Sequence, residues 1–357
     1  MLEDRPPPDQ FEISLFGPGV GECSAIHLGH DEWMIVDSFV DKATRQPIAK
    51  LYLDKIGVSL SKIKLILVTH WHDDHIKGIS ELIKLSPQAH VFVTSAFDSV
   101  EVLSAISPWK ELRDLHALSC LTEFEKIKEL ESFRPSLAAE GTVLYRNCRA
   151  AIEILSLSPS AQGILLSASR LIDVKNERFA QRLPAFGPND SSVVASIRSG
   201  SVRLLLGGDL PKGSDEHSGW PAVLSASRRF QLDRHHGYKV AHHGSSNSDM
   251  DQIWENLLVE HPHAALTPFM ACRNPPPTDS DASRLSSRNA HVYLTSSAKA
   301  KKFVHPDSAV QRTMAETAQS IHCLRDRSGQ VRFRACINEP FSQWNVSLSG
   351  DARKLVG

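Results

Sequence analysis

Residues 65–83 read LILVTHWHDDHIKGISELI, and this stretch decides the fold. An apolar run passes directly into three histidines and two aspartates within six residues. Residues 61–70 are too apolar for a strand with one wet face, which predicts a strand buried on both faces. Apolar positions at helical spacing over 75–85 predict a helix. The cluster His70-Trp71-His72-Asp73-Asp74-His75 therefore falls in a strand-end loop, where sites are usually built. In extended backbone His70, His72 and Asp74 point to one side. His75 opens the helix and turns back toward the same space. Two imidazoles there predict one bound ion, and a carboxylate with an imidazole predicts a second. Such ligands suit zinc, manganese or iron. A solvated polar loop would use the same residue types, but nothing would then require this spacing at this place.

Working outward, residues 11–39 predict strands and tight turns, with AIHL (25–28) and WMIVDS (33–38) either side of a turn at 29–32. Residues 51–58 predict a helix and 90–97 a strand. Residues 101–140 are charged and predict a helical insertion, as do 160–188. TVLYRN (142–147), AAIEILSLS (150–158), SSVVASI (191–197) and SVRLLLGGD (201–209) predict strands, the last two joined by a hairpin at 198–201. MDQIWENLLVEH (250–261) predicts a helix, and 264–269 and 291–297 predict strands. A helix over 309–322 and a hairpin over 326–337 close the chain. The expected organisation is one α/β domain over 1–357, with its core at 11–300 and an extension at 301–357.

Two more strand ends carry ligand chemistry. LLLGGDLP (204–211) ends on Asp209, where two glycines allow a carboxylate to bridge two ions. KVAHHGSSNS (239–248) supplies His242 and His243. Asp37, at the end of another strand, is placed to orient a ligand histidine from behind.

The 357 residues are 41% apolar and 23% charged, enough for a large core. The net charge of −1 gives no global basic field for nucleic acid. No apolar run reaches the roughly 18 residues of a membrane span, and the acidic, proline-rich MLEDRPPPDQ is not a signal peptide. Six cysteines without CxxC spacing predict free thiols and a cytoplasmic location.

The ordered set Asp37, HWHDDH, Asp209 in GGDL and the histidine pair resembles the metallo-β-lactamase superfamily. Within it, GPGVGE (17–22), NDSSVV (189–194), LLLGGDL (204–210) and AHHGSS (241–246) are similar to the hydrolase domain of ComEC-type DNA-uptake proteins. The resemblance covers about residues 11–300. It implies an αββα sandwich with helical insertions, two divalent ions (zinc or manganese), and phosphodiester hydrolysis by a metal-bound hydroxide, with DNA as the expected substrate. His70, His72, Asp74, His75, Asp209 and His243 are the implied metal ligands. Asp74 also steers the hydroxide, and His242 supplies a proton to the leaving oxygen. Ser158 stands where most relatives place a third histidine for the first ion, so the ion at His70 and His72 is expected to bind more weakly. His90 and His116 are the other candidates to complete it.

Asn189, Ser192, Ser245 and Ser246 are expected along the substrate cleft. The run SRRFQLDRHHGYK (227–239) offers Arg228 and Arg229 to phosphates, and KAKKF (299–303) is a weaker second patch. The leading expectation is a metal-dependent nuclease. A pocket walled by the insertions would instead favour a small phosphodiester, cyclic nucleotide or lactone. A metal-containing regulatory subunit, docking protein partners through the insertions, is the alternative from outside enzymology. No membrane partner is expected.

Overall fold

In the computed structural model, residues 1–17, 21–95, 120, 122–123, 125–127, 129–130, 135–176, 188–270, 274–297, 312 and 328–355 are described. The run Ile63–Val68 is a strand whose side chains alternate between two cores. Ile66 and Val68 pack under helices, whereas Leu65 and Leu67 face a second sheet. Burial on both faces, expected from the unbroken apolar run, is what a strand in the middle of two covered layers requires.

That strand is β4 of a first sheet. Its companions are β1 (Gln10–Gly17), β2 (Cys23–His27), β3 (Trp33–Val36), β5 (His90–Thr94) and β6 (Ser136–Ala138), with β14 (Gly329–Cys336) and β15 (Asn345–Gly350) from the end of the chain. The order is β15-β14-β1-β2-β3-β4-β5-β6. Strands β3 to β6 pair in parallel, with helices α1 (Ile48–Lys55), α2 (Asp73–Ile76) and α3 (Ile79–Leu85) packed on their outer face. The second sheet holds β7 (Val143–Asn147), β8 (Ile152–Ser156), β9 (Ala195–Ser199), β10 (Val202–Leu206), β11 (His235–Lys239), β12 (Leu258–Leu266), β13 (His291–Leu294) and β16 (Arg353–Lys354). Its order is β16-β13-β12-β11-β10-β9-β8-β7, parallel from β10 to β13. Helix α4 (Ala161–Asn176) follows β8. Helices α5 (Gly219–Arg229), α6 (Asp251–Asn256) and α7 (Asp279–Ser286) are the crossovers between parallel strands. Phe11, Leu15, Ile26, Ile154, Ile197 and Phe333 fill the layer between sheets, and each outer face has its own helix-covered core. The fold is mixed α/β, with two sheets face to face and helices outside both.

Several expectations change. The core does not stop at residue 300: β14 pairs with all eight residues of β1 and sends Val331, Phe333 and Ala335 between the sheets. Residues 136–138 of the first expected insertion form β6, which pairs with β5. The single helix expected over 75–85 is two, because Gly78 adopts φ +82° and a Cβ there would lie 2.8 Å from Val40 Cγ1. The helix expected over 250–261 ends at Asn256, and the remainder joins β12. Pro262 has no N–H to donate, and it sits where pairing with β11 slips between Leu258 and His263. Residues 161–176 are helical as expected. Residues 177–187, the expected helix at 309–322 apart from Arg312, and the basic run 299–303 lie outside the described residues.

Parallel strands present their carboxyl ends at one edge, and sites gather there. The turns after β3, β4, β10 and β11 carry Asp37, His70–His75, Asp209 and His242–His243 to that edge.

Candidate metal centre

The site is built from three imidazoles, each tied by Nδ1 and turning Nε2 toward the carboxylates of Asp74 and Asp209. Asp37, at the end of β3 with φ +57°, accepts the Thr69 N–H and hydroxyl at 2.8 Å each and the His75 Nδ1–H at 2.7 Å. The Thr69 hydroxyl is thereby committed as a donor, so its oxygen accepts the His70 Nδ1–H at 2.9 Å. His243 donates its Nδ1–H to the Thr267 carbonyl at 2.8 Å. All three side chains are buried, and each turns Nε2 inward. That anchoring fixes the tautomer and orientation a metal-binding histidine needs.

Asp209 Oδ2 stands 3.9 Å from His70 Nε2, 3.6 Å from His75 Nε2 and 3.4 Å from His243 Nε2. Asp74 Oδ2 lies 3.5 Å from His75 Nε2 and 3.2 Å from His243 Nε2. Two overlapping groups result, His70–His75–Asp209 and Asp74–His75–His243, each with its donor atoms within 4.8 Å of one another. His70 Nε2, His75 Nε2 and Asp74 Oδ2 are buried without a hydrogen-bond partner. Orphaned polar atoms are costly in a core, and three of them converging is what divalent cations would satisfy. The residues therefore fit the ions that the donor set implies.

Charge says the same. Glu22, Asp37, Asp74 and Asp209 are all buried, facing one buried ammonium, Lys239. Burial opposes the charge on His75, yet Asp74, Asp209 and Asp37 outweigh it and hold its pKa well above the ordinary value. His243 is also pushed up against burial, to about 10, by Asp209 and Asp74. Burial, with His75 nearby, keeps His70 well below the usual range. Asp74 and Asp209 are held well below the carboxylate range: burial resists this, but His75 and His243 prevail. Protons on His75 and His243 thus occupy the places that cations would take.

The second group, Asp74, His75 and His243, is the one expected for the second ion. In the first, His75 stands beside His70 and Asp209 where His72 was expected. His72 precedes α2 in extended backbone, and its Nδ1 is held against Asp74 Oδ1, which leaves its side chain 45% exposed at the rim of the site. Of the histidine pair, His243 faces the cluster. His242 turns away, donating from Nδ1 to Asn247 and Ser248 and accepting the Asn189 amide at Nε2, 3.2 Å away. Burial lowers its pKa, and both of its nitrogens are engaged in hydrogen bonds.

Ser192 is fully buried and lines no cleft. Its hydroxyl accepts the Asp209 N–H at 2.8 Å and lies 3.4 Å from His70 Nδ1, behind the ligands. Ser158 is likewise locked, donating to the Ser192 carbonyl at 2.6 Å and accepting the Val194 N–H at 2.7 Å. Ser245 caps the His242–His243 turn through its backbone, and Ser246 is exposed beside it. Arg228 and Arg229 end α5, the crossover that follows Asp209 and spans roughly 16 Å over the outer face of the second sheet. Arg229 pairs with Glu140, which follows β6 at the carboxyl edge and bonds the Pro159 carbonyl there. His235 and His236 open β11 at the opposite edge, bonded to Ser196 and stacked on Phe341. His90, exposed at the entry of β5, also lies at the edge away from the site, and His116 is outside the described residues.

Sequence reasoning missed Arg284, which donates to the Gly244 carbonyl at 2.7 Å and pairs with Asp249 and Asp281. It also missed Glu22 and the burial of Lys239. Glu22 follows the glycine turn at 17–21, and that turn was its only signal.

Comparison with known proteins bears on this geometry. The family model for the metallo-beta-lactamase superfamily matches residues 16–95, which include Asp37 and His70–His75. Among solved structures, the metallo-beta-lactamase SMB-1 bound to 2-mercaptoethanesulfonate is 16% identical, with TM-score 0.35, over 66% of this chain and 80% of that one. MEM-A1, a subclass B3 enzyme from a soil metagenome, is 14% identical, with TM-score 0.34, over 68% and 83%. MIM-1 from Novosphingobium pentaromativorans is 14% identical, with TM-score 0.35, over 72% and 84%. No curated protein matches the sequence. Over the matched segment, which bears Asp37 and the histidine cluster, the chain is similar to the metallo-β-lactamase superfamily.

Proposed function

We propose that this protein is a metal-dependent phosphodiester hydrolase. The observation that carries the reading is Asp209 Oδ2, which faces the Nε2 atoms of His70, His75 and His243 together. The two candidate groups share His75, and Asp209 Oδ2 lies within 4 Å of the Nε2 atoms of His70 and His243 as well, which supports a centre for two ions. When bound, paired ions lower the pKa of water and neutralise a phosphate for in-line attack. His70, His75, Asp74, Asp209 and His243 would hold them, with His72 available at the rim. Ser192, Thr69 and Asp37 keep these side chains in place.

DNA is the first substrate to test, on the ComEC-like GGDL and AHHGSS motifs. A specific observation favours a second, smaller phosphodiester. Beside His242, a cleft of about 380 Å³ is lined by Gly163 and Leu166 of α4, Lys212, Ser214 and Asn247, a size within the range of small-molecule sites. We infer a cytoplasmic setting from the free Cys23, Cys120, Cys148 and Cys336; no described helix is long and apolar enough to cross a membrane.

The test is to incubate zinc- or manganese-loaded protein with single- and double-stranded DNA, RNA, a generic phosphodiester and a β-lactam. Phosphodiester cleavage that an Asp209→Ala variant lacks is the expected result. β-Lactam cleavage with every phosphodiester intact would overturn the proposal.

A further inference from the structure

Beneath the ligands lies a buried ion pair that the chemistry above leaves unused. Lys239 ends β11 and Glu22 immediately precedes β2; they are 4% and 2% exposed and in direct contact. Lys239 Nζ also donates to the Gly208 carbonyl at 3.1 Å and stands 3.7 Å from Asp209 Oδ1. The Glu22 N–H donates to the Asp74 carbonyl at 2.8 Å, so the pair is built into two ligand-bearing segments at once. An unpaired ammonium here would cost several kcal/mol, and Glu22 offsets that cost. A buried pair nevertheless adds little stability over apolar residues of the same volume. Folding alone therefore gives weak reason for it. Its geometry gives a better one: the two oxygens of Asp209 are divided, Oδ1 toward Lys239 and Oδ2 toward the three imidazoles.

We propose that Lys239, held by Glu22, is a positioning residue that keeps Asp209 Oδ1 out of coordination and presents Oδ2 alone to both ions. The inference rests on the two-ion reading of the site. It makes a prediction opposite in sign to simple electrostatics. Removing a cation this close to a ligand carboxylate would tighten metal binding if Asp209 kept its pose. If Lys239 sets that pose, removal weakens binding.

The experiment compares full-length wild type, Lys239→Met and the double variant Glu22→Gln/Lys239→Met. Bound manganese or zinc is counted by elemental analysis, affinity is measured by chelator competition, and stability is read from thermal unfolding of metal-free protein. Wild type should hold two ions. Lys239→Met should bind metal about 10–100-fold more weakly, as loss of a partner behind a ligand does. The double variant buries no unpaired charge from this pair, so it should recover thermal stability without recovering metal affinity. It carries the test if Lys239→Met fails to fold. Recovery of wild-type affinity in the double variant would reduce the pair to a folding contact and overturn the proposal. Unchanged or tighter binding in Lys239→Met would overturn it as well. A wild type that binds no metal would remove both this inference and the two-ion reading, whereas two ions in every variant would remove this inference alone.

Discussion

Two turns deliver the ligands, and they reach the same cluster by opposite means. The turn after β4 uses ordinary backbone: His72 is extended at φ −134°, ψ 147°, and α2 begins at the next residue. Its ligands are neighbours in sequence, and most of its support comes from Asp37. The turn after β11 instead places His242, His243 and Gly244 at φ +46°, +55° and +78° in succession. Left-handed backbone costs a non-glycine residue roughly 1–2 kcal/mol, so this turn persists only because distant groups hold it. Gly208 accepts the His242 N–H at 3.0 Å, Thr267 holds His243, and Arg284 of α7 holds Gly244. Local spacing writes the first turn, and tertiary structure writes the second.

Asp209 faces both turns, so its loss should have the largest effect. Asp209→Ala should lower turnover by at least about 10²–10³-fold, the scale for losing a preorganised electrostatic group, and should reduce bound metal in elemental analysis. Full activity with wild-type metal content would place the chemistry elsewhere. Arg284→Met strikes only the second turn. It leaves Asp249 and Asp281 short of a partner and frees the Gly244 carbonyl. Because Arg284 is partly exposed and Arg288 still pairs with Asp249 at 3.1 Å, the cost should be about 2–3 kcal/mol in denaturant unfolding, below that of a fully buried pair. The same variant should weaken metal binding at His243. If stability falls and metal affinity does not, the turn needs no help from α7.

Asp37→Ala strikes the first turn from behind. Metal affinity should drop about 10–100-fold by chelator competition, and Asp37→Asn, which keeps an acceptor for His75, should drop it less. Equal losses would argue for charge rather than orientation.

Proton release sharpens the comparison further, because His75 belongs to the first turn and His243 to the second. Both have raised pKa values in the metal-free protein, His243 to about 10. The contribution of His243 to metal-free stability is therefore complete below about 6.5, the unfolded value, and is lost as pH rises through about 10; that of His75 is likewise lost above the ordinary imidazole range. Metal must displace these protons, so affinity should rise with pH across that window and binding should release protons. Calorimetry in buffers of different ionisation enthalpy reads the number released. None released at pH 7 would mean that neither imidazole is a ligand.

The smallest effect should come from Arg229→Ala. Arg229 is exposed and its pairing with Glu140 is a surface ion pair, so stability should change by no more than about 1 kcal/mol. Phosphodiester cleavage should stay within about twofold of wild type, and a large loss would restore the basic run as a substrate site.

What was legible in the sequence follows the same division. β4, α3 and the ligand spacing of 70–75 could be read because hydrophobic period and residue order are local. Asp209 could be placed because it ends a recognisable strand, and His243 stands out over His242 because it immediately precedes Gly244. The place of β14 in the first sheet could not, since it pairs with β1 more than 300 positions away in the chain. Ser192 read as a cleft residue because serine near a motif carries no sign of burial. Arg228 and Arg229 stand near Asp209 in sequence, yet a crossover helix of roughly 16 Å lies between. His72 pairs with Asp74 rather than His70, a choice made by side-chain geometry on which spacing is silent.

Anomalous diffraction from crystals of manganese- or zinc-loaded protein tests the central claim most directly. The account predicts two peaks about 3.5–4 Å apart on either side of Asp209 Oδ2, one near His70 and the other near Asp74 and His243. A single peak, or two that do not share Asp209, would contradict it.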